Sequence, residues 1–164
     1  QGMLRAVSMV AKQRQDFELI CVGTGVDYAE DVAYALSLNF PNGLLTFTGE
    51  QIPHEVAQWM QQSDCFLFFS RYENAPVVLS ECLAIGLPII SSNAGGIPEM
   101  INQDCGILVP SEDEKALANA MLEMIDNQGN FTADTIRQRG TKYTYHNIGK
   151  QLSELYQRVV VSTH

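Results

Sequence analysis

The alternation of short apolar runs with amphipathic segments is the feature that most limits how this chain can fold. Apolar runs predict strands over residues 17–23, 44–49, 65–70, 88–91 and 106–109. Helical spacing predicts helices over 28–38, 53–61, 77–85, 97–101, 112–125, 133–139 and 145–160. This alternation predicts an α/β fold, a Rossmann-like doubly wound parallel sheet with helices on both faces. Because the strand runs are unbroken apolar stretches, we expect them to be buried on both sides.

The first segment of the chain, residues 3–14, has helical spacing and precedes every predicted strand. A doubly wound domain normally opens with a strand at the centre of its sheet. We therefore expect the first strand to be missing from the visible sheet, or to be borrowed. In the strand order 3-2-1-4-5-6, its loss leaves strands 17–23 and 65–70 two neighbour spacings of about 4.8 Å apart.

Composition bounds the domain count and the class of protein. The 164 residues suffice for a single domain, 1–164, with C-terminal helices over about 131–160. A hydrophobic fraction of 46% is typical of a globular protein. No apolar run reaches the roughly 18–20 residues that cross a bilayer, and the first residues show no signal-peptide pattern. The net charge of −9 argues against a nucleic-acid partner, although a helix amino terminus can still bind one small anion.

Cysteines and histidines give no sign of a metal site. Four cysteines are widely spaced without a C-x-x-C motif, which favours buried free thiols in a reducing, cytoplasmic location. His54, His146 and His164 have no metal-ligand spacing, so we expect exposed structural roles for them. Aromatic and aliphatic residues near the carboxyl end predict the packed face of the last helices; they are Tyr143, Tyr145, Leu152, Leu155 and Tyr156.

A glycine-containing loop, V-G-T-G-V-D at 22–27, follows the first predicted strand. The third glycine of a dinucleotide fingerprint would fall at position 28, which is Tyr28. A tight strand-to-helix turn is therefore favoured over a nicotinamide site. The loop still lies at the carboxyl end of a strand, where open α/β sheets bind ligands.

A second loop, residues 70–75, leads from strand 65–70 to a helix that follows Pro76. The amides of Val77 and Val78 lack helical partners, so they favour an anion such as a diphosphate. Glu81 lies in the same helix, where a carboxylate can accept hydrogen bonds from two ribose hydroxyls. Glu73, on the loop, can do the same for a sugar ring. For an isolated E-x7-E pair, helix capping and surface charge would be the better interpretation.

The E-x7-E pair is part of a longer string, S-R-Y-E-N-A-P-V-V-L-S-E-C-L-A-I-G-L-P-I-I-S-S-N-A-G-G-I-P-E, at 70–99. This string resembles the signature of retaining glycosyltransferases of family 4, which have the GT-B fold. The resemblance continues through 22–25, 47–70, 106–109 and the terminal helices, and it matches the C-terminal, donor-binding domain. It implies transfer of a sugar from a UDP- or GDP-sugar to a glycan or lipid-linked acceptor. It also implies that the anomeric configuration is retained and that no metal or cofactor is needed.

The resemblance also implies a role for each site residue. Glu81 would hold the ribose, and the amides of Val77 and Val78 would hold the diphosphate. Glu73 would be the catalytic residue. It would face the donor sugar, together with the amides of Asn74 and Ala75. The loops that would line the base are Gly23-Thr24 and Glu50-Gln51-Ile52. The Asn74-Ala75-Pro76 run replaces the family's more usual glycine-aromatic-glycine or similar run, so the resemblance does not identify the donor sugar.

Other features of the family are not assigned to residues of this chain. We interpret the segment after strand 88–91 as a structural strand-to-helix turn; it contains Ser92, Asn93, Gly95 and Gly96. Glu99, in the next helical turn, is likewise interpreted as a structural residue. The cations that neutralise the diphosphate are not identifiable, and Arg71 receives no family role. We expect the acceptor side to come from an N-terminal Rossmann domain. Membrane-surface association would occur only through that half, and this chain alone should transfer no sugar.

Two functional classes therefore stay open. The first is the donor-binding domain of a glycosyltransferase, and the second is a non-catalytic nucleotide-sugar-binding module that works with another chain. A structural α/β domain without a ligand is a third class, which the combined signature disfavours.

Overall fold

The computed structural model describes residues 1–162, apart from the side chains at 128, 161 and 162. The strands are β1 Leu19–Val22, β2 Leu45–Gly49, β3 Phe66–Phe68, β4 Ile89–Ser92 and β5 Gly106–Val109. The helices are α1 Gly2–Ala11, α2 Tyr28–Ser37, α3 Pro53–Gln62, α4 Val77–Ile85, α5 Ile97–Met100, α6 Glu114–Asp126, α7 Ala133–Gly140 and α8 Tyr145–Ser162. Short 3₁₀ turns lie at Gln128–Asn130 and Thr141–Tyr143. The predicted α/β alternation is confirmed.

The parallel sheet is split into two parts. β1 pairs with β2, and β3, β4 and β5 form a separate sheet in that order. No pairing joins β1 to β3 in the part of the chain that the structure describes. A cavity of about 1690 Å³ lies between them and is lined by both strands. The predicted gap between the first and third apolar runs is therefore present.

Burial differs among the strands in a way that follows from this gap. All of β4 is buried, as predicted for a strand covered on both faces. β1, β2 and β3 are only half-buried, so the prediction of full burial is wrong for them. Each of the three pairs with a strand on one side only, and β1 and β3 have the open cavity on their other side.

Helices cover both faces of the sheet, and each face has its own apolar cluster. On one face, Val7 of α1 and Leu117 of α6 pack with Ile90 of β4. On the other face, Leu83 of α4 and Ile136 of α7 pack with Ile89. Because neighbouring residues of a strand point to opposite faces, Ile89 and Ile90 anchor the two layers separately.

The ends of α4 and α6 show how local signals set helix limits. α4 begins after Pro76 and ends at Gly86, whose φ of 82° is the left-handed conformation that favours glycine. α6 begins two residues later than predicted, because Asp113 is its N-cap and accepts a 2.9 Å hydrogen bond from the Ala116 amide.

The last helix corrects one prediction. Tyr145 and Tyr156 of α8 are 101% and 66% exposed, and Leu152 and Leu155 are 45% and 46% exposed. Of the five residues predicted to form the packed face, only Tyr143, which precedes the helix, packs against a core cluster. The apolar residues have helical spacing, but no other described element covers most of them. Among the described helices, none is both long enough and apolar enough to cross a membrane.

Candidate functional site

The loops singled out in the sequence all follow the carboxyl ends of parallel strands and so lie at one edge of the split sheet. On one side of the cavity, the Gly23 amide donates a 2.9 Å hydrogen bond to the Gly49 carbonyl oxygen. This bond joins the start of the loop after β1 to the last residue of β2, where the next loop begins. The structure thus brings the two predicted base-lining segments, Gly23-Thr24 and Glu50-Gln51-Ile52, next to each other.

On the other side of the cavity, the amino end of α4 presents free amides. Pro76 is its N-cap, and no side chain caps the helix. The Leu79 amide bonds to the Pro76 carbonyl oxygen at 3.1 Å. Within residues 1–162, the amides of Val77 and Val78 donate no hydrogen bond, as expected for the first turn of a helix. These N–H groups and the helix dipole form a site of partial positive charge.

Two carboxylates lie near this helix end. Glu73 is half-buried in the loop before α4, and Glu81 is exposed in its second turn. Neither side chain has a hydrogen bond or ion pair with any described residue. Asn74 and Ala75 between them are exposed. The carboxylates are therefore available to hydroxyl groups of a ligand.

The cavity reaches this edge and separates the predicted residues into two sets. Gly23, Thr24, Gln51 and Val78 line it. The other predicted residues lie outside its lining; they are Glu50, Ile52, Glu73, Asn74, Ala75, Val77 and Glu81. The cavity therefore joins the base-side loops to the start of α4 without enclosing either carboxylate.

Sequence reasoning missed one exposed residue of the loop after β3. Tyr72 is 90% exposed and lines the cavity, and its carbonyl oxygen accepts a 3.2 Å hydrogen bond from Ser70 Oγ. Its position in the sequence, between the end of a predicted strand and Glu73, is the signal that could have identified it as a site residue. An exposed aromatic ring at a ligand-facing edge can stack on a flat group.

The basic side chains that line the cavity are already paired. Arg71 contacts Glu112 at 2.8 Å, and both side chains are exposed. Arg5 of α1 donates to Glu114 of α6 at 2.8 Å, and this bond holds the pKa of Glu114 below its usual value. An anion at this edge would therefore first meet the helix amides and not a free cation.

The cysteines are free thiols throughout the described chain. Cys82 and Cys105 are buried as predicted, but Cys21 and Cys65 are only half-buried because they line the cavity. Burial raises the pKa of Cys21 to about 11 and that of Cys65 to about 12. At neutral pH these thiols are protonated, which makes them poor nucleophiles.

Neither of the two histidines among the described residues lines the cavity. His54 is exposed and its Nε2 lies 3.2 Å from Nε2 of Gln58, and His146 is exposed on α8. His164 lies outside the described residues. The described part of the chain contains no group of three or more His, Cys, Asp or Glu side chains that could hold a metal ion.

Comparisons of the sequence identify related proteins. The family described as "Glycosyl transferases group 1" matches residues 1–127. The chain is 27% identical over 166 residues to the amylovoran biosynthesis glycosyltransferase AmsK of Erwinia amylovora, covering 95% of this chain and 40% of AmsK. It is 31% identical over 129 residues to the N-acetyl-alpha-D-glucosaminyl L-malate synthase of Bacillus anthracis, covering 78% of this chain and 33% of that enzyme.

Solved structures share the fold. Anabaena Alr3699/HepE, crystallised with UDP, has a TM-score of 0.83 at 20% identity, covering 96% of this chain and 44% of that protein. Sucrose-phosphate synthase of Thermosynechococcus elongatus has a TM-score of 0.82 at 24% identity, covering 98% of this chain and 43% of the synthase. The likeness confirms a Rossmann-like α/β fold of the kind found in GT-B glycosyltransferases. The chain spans less than half the length of each of these four proteins.

Proposed function

Because the chain belongs to the glycosyl transferases group 1 family, we propose that it is the C-terminal, donor-binding domain of a retaining glycosyltransferase of family 4. The full-length protein transfers a sugar, of the hexosyl type, from a UDP- or GDP-sugar to a glycan or lipid-linked acceptor. UDP in the structure of the Anabaena neighbour supports uridine diphosphate as the first ligand to test.

The observation that carries the proposal is the arrangement around the amino end of α4. Along the chain, the free amides of Val77 and Val78 lie between two carboxylates that pair with no described residue, Glu73 before the helix and Glu81 within it. A nucleotide-sugar offers the matching groups in one molecule: hydroxyls at each end and a diphosphate between them. Glu81 accepts hydrogen bonds from the ribose, and Glu73, with the amides of Asn74 and Ala75, faces the sugar.

The same arrangement assigns a mechanism to the helix. As the bond between the sugar and the diphosphate breaks, negative charge accumulates on the leaving phosphate oxygens. The Val77 and Val78 amides donate to those oxygens, and fixed donors of this kind stabilise a transition state without reorganising. A helix terminus contributes about 0.3–2 kcal/mol to binding of an anion. Because Arg5 and Arg71 are paired with glutamates, further positive charge comes from elsewhere in the full-length enzyme.

The rest of the reaction requires groups from an N-terminal Rossmann domain, which supplies the acceptor side and any contact with a membrane surface. Holding the acceptor hydroxyl against the donor carbon can supply about 7–11 kcal/mol of barrier lowering. The residues assigned here therefore bind and orient the donor, and by themselves transfer no sugar. The free thiols of the described residues suit a reducing compartment, which supports the cytoplasm as the proposed location of the reaction.

Calorimetric titration of UDP and GDP into wild type and Glu81→Gln tests the proposal. We expect the wild-type chain to bind one of them with a Kd of about 0.1–1 mM, corresponding to about −5 kcal/mol. Removing the charged acceptor should cost about 1.5–3 kcal/mol of that binding, because a hydrogen bond to a charged group is lost.

Glu123→Gln is the matched control, because Glu123 is also an exposed glutamate but lies on α6. It removes the same charge, so it should leave the affinity unchanged if the effect is local. Equal affinity in wild type and Glu81→Gln would contradict the ribose assignment. If the wild-type chain binds neither UDP nor GDP, the assignment of a donor site is contradicted.

A further inference from the structure

The turn between β4 and α5 contacts the loop that leads into the donor site. Ser92, at the end of β4, is fully buried. Its Oγ donates a 2.6 Å hydrogen bond to the Ser70 carbonyl oxygen and accepts a 3.0 Å bond from the Ser70 amide. One side chain therefore satisfies both backbone groups of the residue at which the loop begins, across 22 positions of sequence.

Two glycines of the same turn contact the loop further on. The Gly96 amide donates a 3.3 Å hydrogen bond to the carbonyl oxygen of Glu73. A Cβ placed on Gly95 would lie 1.6 Å from that same oxygen, and one on Gly96 would lie 2.0 Å from the carbonyl oxygen of Asn74. The backbones of the turn and the loop therefore touch directly, which only residues without a Cβ permit.

We propose that Ser92, Gly95 and Gly96 are positioning residues, which hold the loop from Ser70 to Asn74 in the conformation that presents Glu73 to the donor sugar. This inference rests on the proposed function for the identity of the ligand. These contacts fix the start of the loop and its backbone at Glu73 and Asn74, two of the three residues assigned to the sugar. The part of the site that meets the nucleotide, on α4, has no contact of this kind with the turn.

Gly96→Ala is the cleanest test of this role. Gly96 has φ −85° and ψ 0°, which alanine can adopt, whereas Gly95 has a φ of 51°. The added methyl group at position 96 therefore acts through its collision with Asn74, and not through strain in its own backbone. The Asn74 backbone must move away, and Glu73 moves with it.

Two measurements on the 164-residue chain distinguish a positioning role from a general structural one. ¹⁵N relaxation reports the order of the amides of residues 71–75 without any ligand. Calorimetry compares UDP-glucose with UDP, and GDP-mannose with GDP, so that the sugar's own contribution is isolated. We expect Gly96→Ala to disorder the loop and to lower the ratio of nucleotide-sugar to nucleotide affinity by about three- to tenfold. Its affinity for the nucleotide alone should stay within about twofold of wild type.

Gly43→Ala is the control for loss of stability, because a φ of 81° strains an alanine there, while position 43 precedes β2 and touches neither the loop nor the turn. It should leave the loop order and the affinity ratio unchanged below its melting temperature. Ser92→Ala should act like Gly96→Ala, since it leaves the Ser70 amide and carbonyl without their partner.

The outcomes separate this inference from the proposed function. An ordered loop in Gly96→Ala, or an unchanged affinity ratio, would overturn the positioning role even if nucleotides bind. If wild type binds no nucleotide, or gains nothing from the sugar, the donor assignment fails. In that case the relaxation data alone test the inference. A disordered loop in Gly96→Ala shows that the turn holds the loop in place, and an ordered loop refutes this.

Discussion

Replacing Gly86 by alanine tests how firmly the helix of the donor site is held in place. Gly86 ends α4 with a φ of 82°, a conformation that costs about 1–2 kcal/mol for a residue with a Cβ. A Cβ there would also lie 2.7–2.9 Å from three atoms of Ala133, two of them backbone atoms at the start of α7. Alanine therefore pushes α4 and α7 apart as well as straining its own backbone.

Gly43→Ala separates these two costs. Gly43 has a φ of 81°, close to that of Gly86, but a Cβ there would have no neighbour within 4 Å. The control should lose only the conformational term, about 1–2 kcal/mol. Overpacking costs about 1–3 kcal/mol, so Gly86→Ala should lose about 2–5 kcal/mol in total.

Urea unfolding followed by circular dichroism measures both variants. We expect the midpoint of Gly86→Ala to fall further than that of Gly43→Ala, with similar slopes, because the extra cost lies in the folded state. Equal losses in the two variants would mean that Ala133 moves aside freely, and would refute the tight contact between α4 and α7.

Further expectations concern acid stability and backbone exchange. The hydrogen bond from Arg5 lowers the pKa of Glu114 in the folded chain from its ordinary value of 4.5, so the stability it contributes is present above that pH and is lost as pH falls through the folded pKa. Glu114→Gln should be less stable than wild type at pH 7 and should lose less stability on acidification; parallel pH curves of the unfolding free energy would contradict this. In hydrogen exchange, the buried strand β4 should be the most protected, and the amides of β1 and β3 that face the cavity should exchange faster. Equal protection across the three strands would show that the cavity is closed in solution.

Features that depend on neighbours in sequence were predicted well. The limits of α4, residues 77–85, were predicted correctly because Pro76 and Gly86 are strong local signals. β5 was also predicted with its observed limits, 106–109, and the split between β1 and β3 followed from counting strands in a doubly wound order. Each of these features depends on backbone propensity or on the order of elements along the chain, and both can be read from the sequence.

Features that depend on distant parts of the chain were predicted poorly. The apolar stripe of α8 has the spacing of a buried face, but spacing does not say whether another element covers it. The two glycines after β4 were interpreted as a simple turn, because their contact with the loop around Glu73 joins backbones far apart in sequence. The half-buried state of β1 and β3 likewise depends on the open space beside them.

The most direct test of the central claim is a ¹⁵N–¹H correlation spectrum of the chain titrated with UDP and, separately, with GDP. The claim is that a nucleoside diphosphate binds the free amides at the start of α4. We expect the largest, saturable shifts at Val77 and Val78, because phosphate oxygens accept hydrogen bonds from those N–H groups. Saturable binding of either nucleotide that leaves both of these amides unshifted, or the absence of any shift with both, would contradict the account.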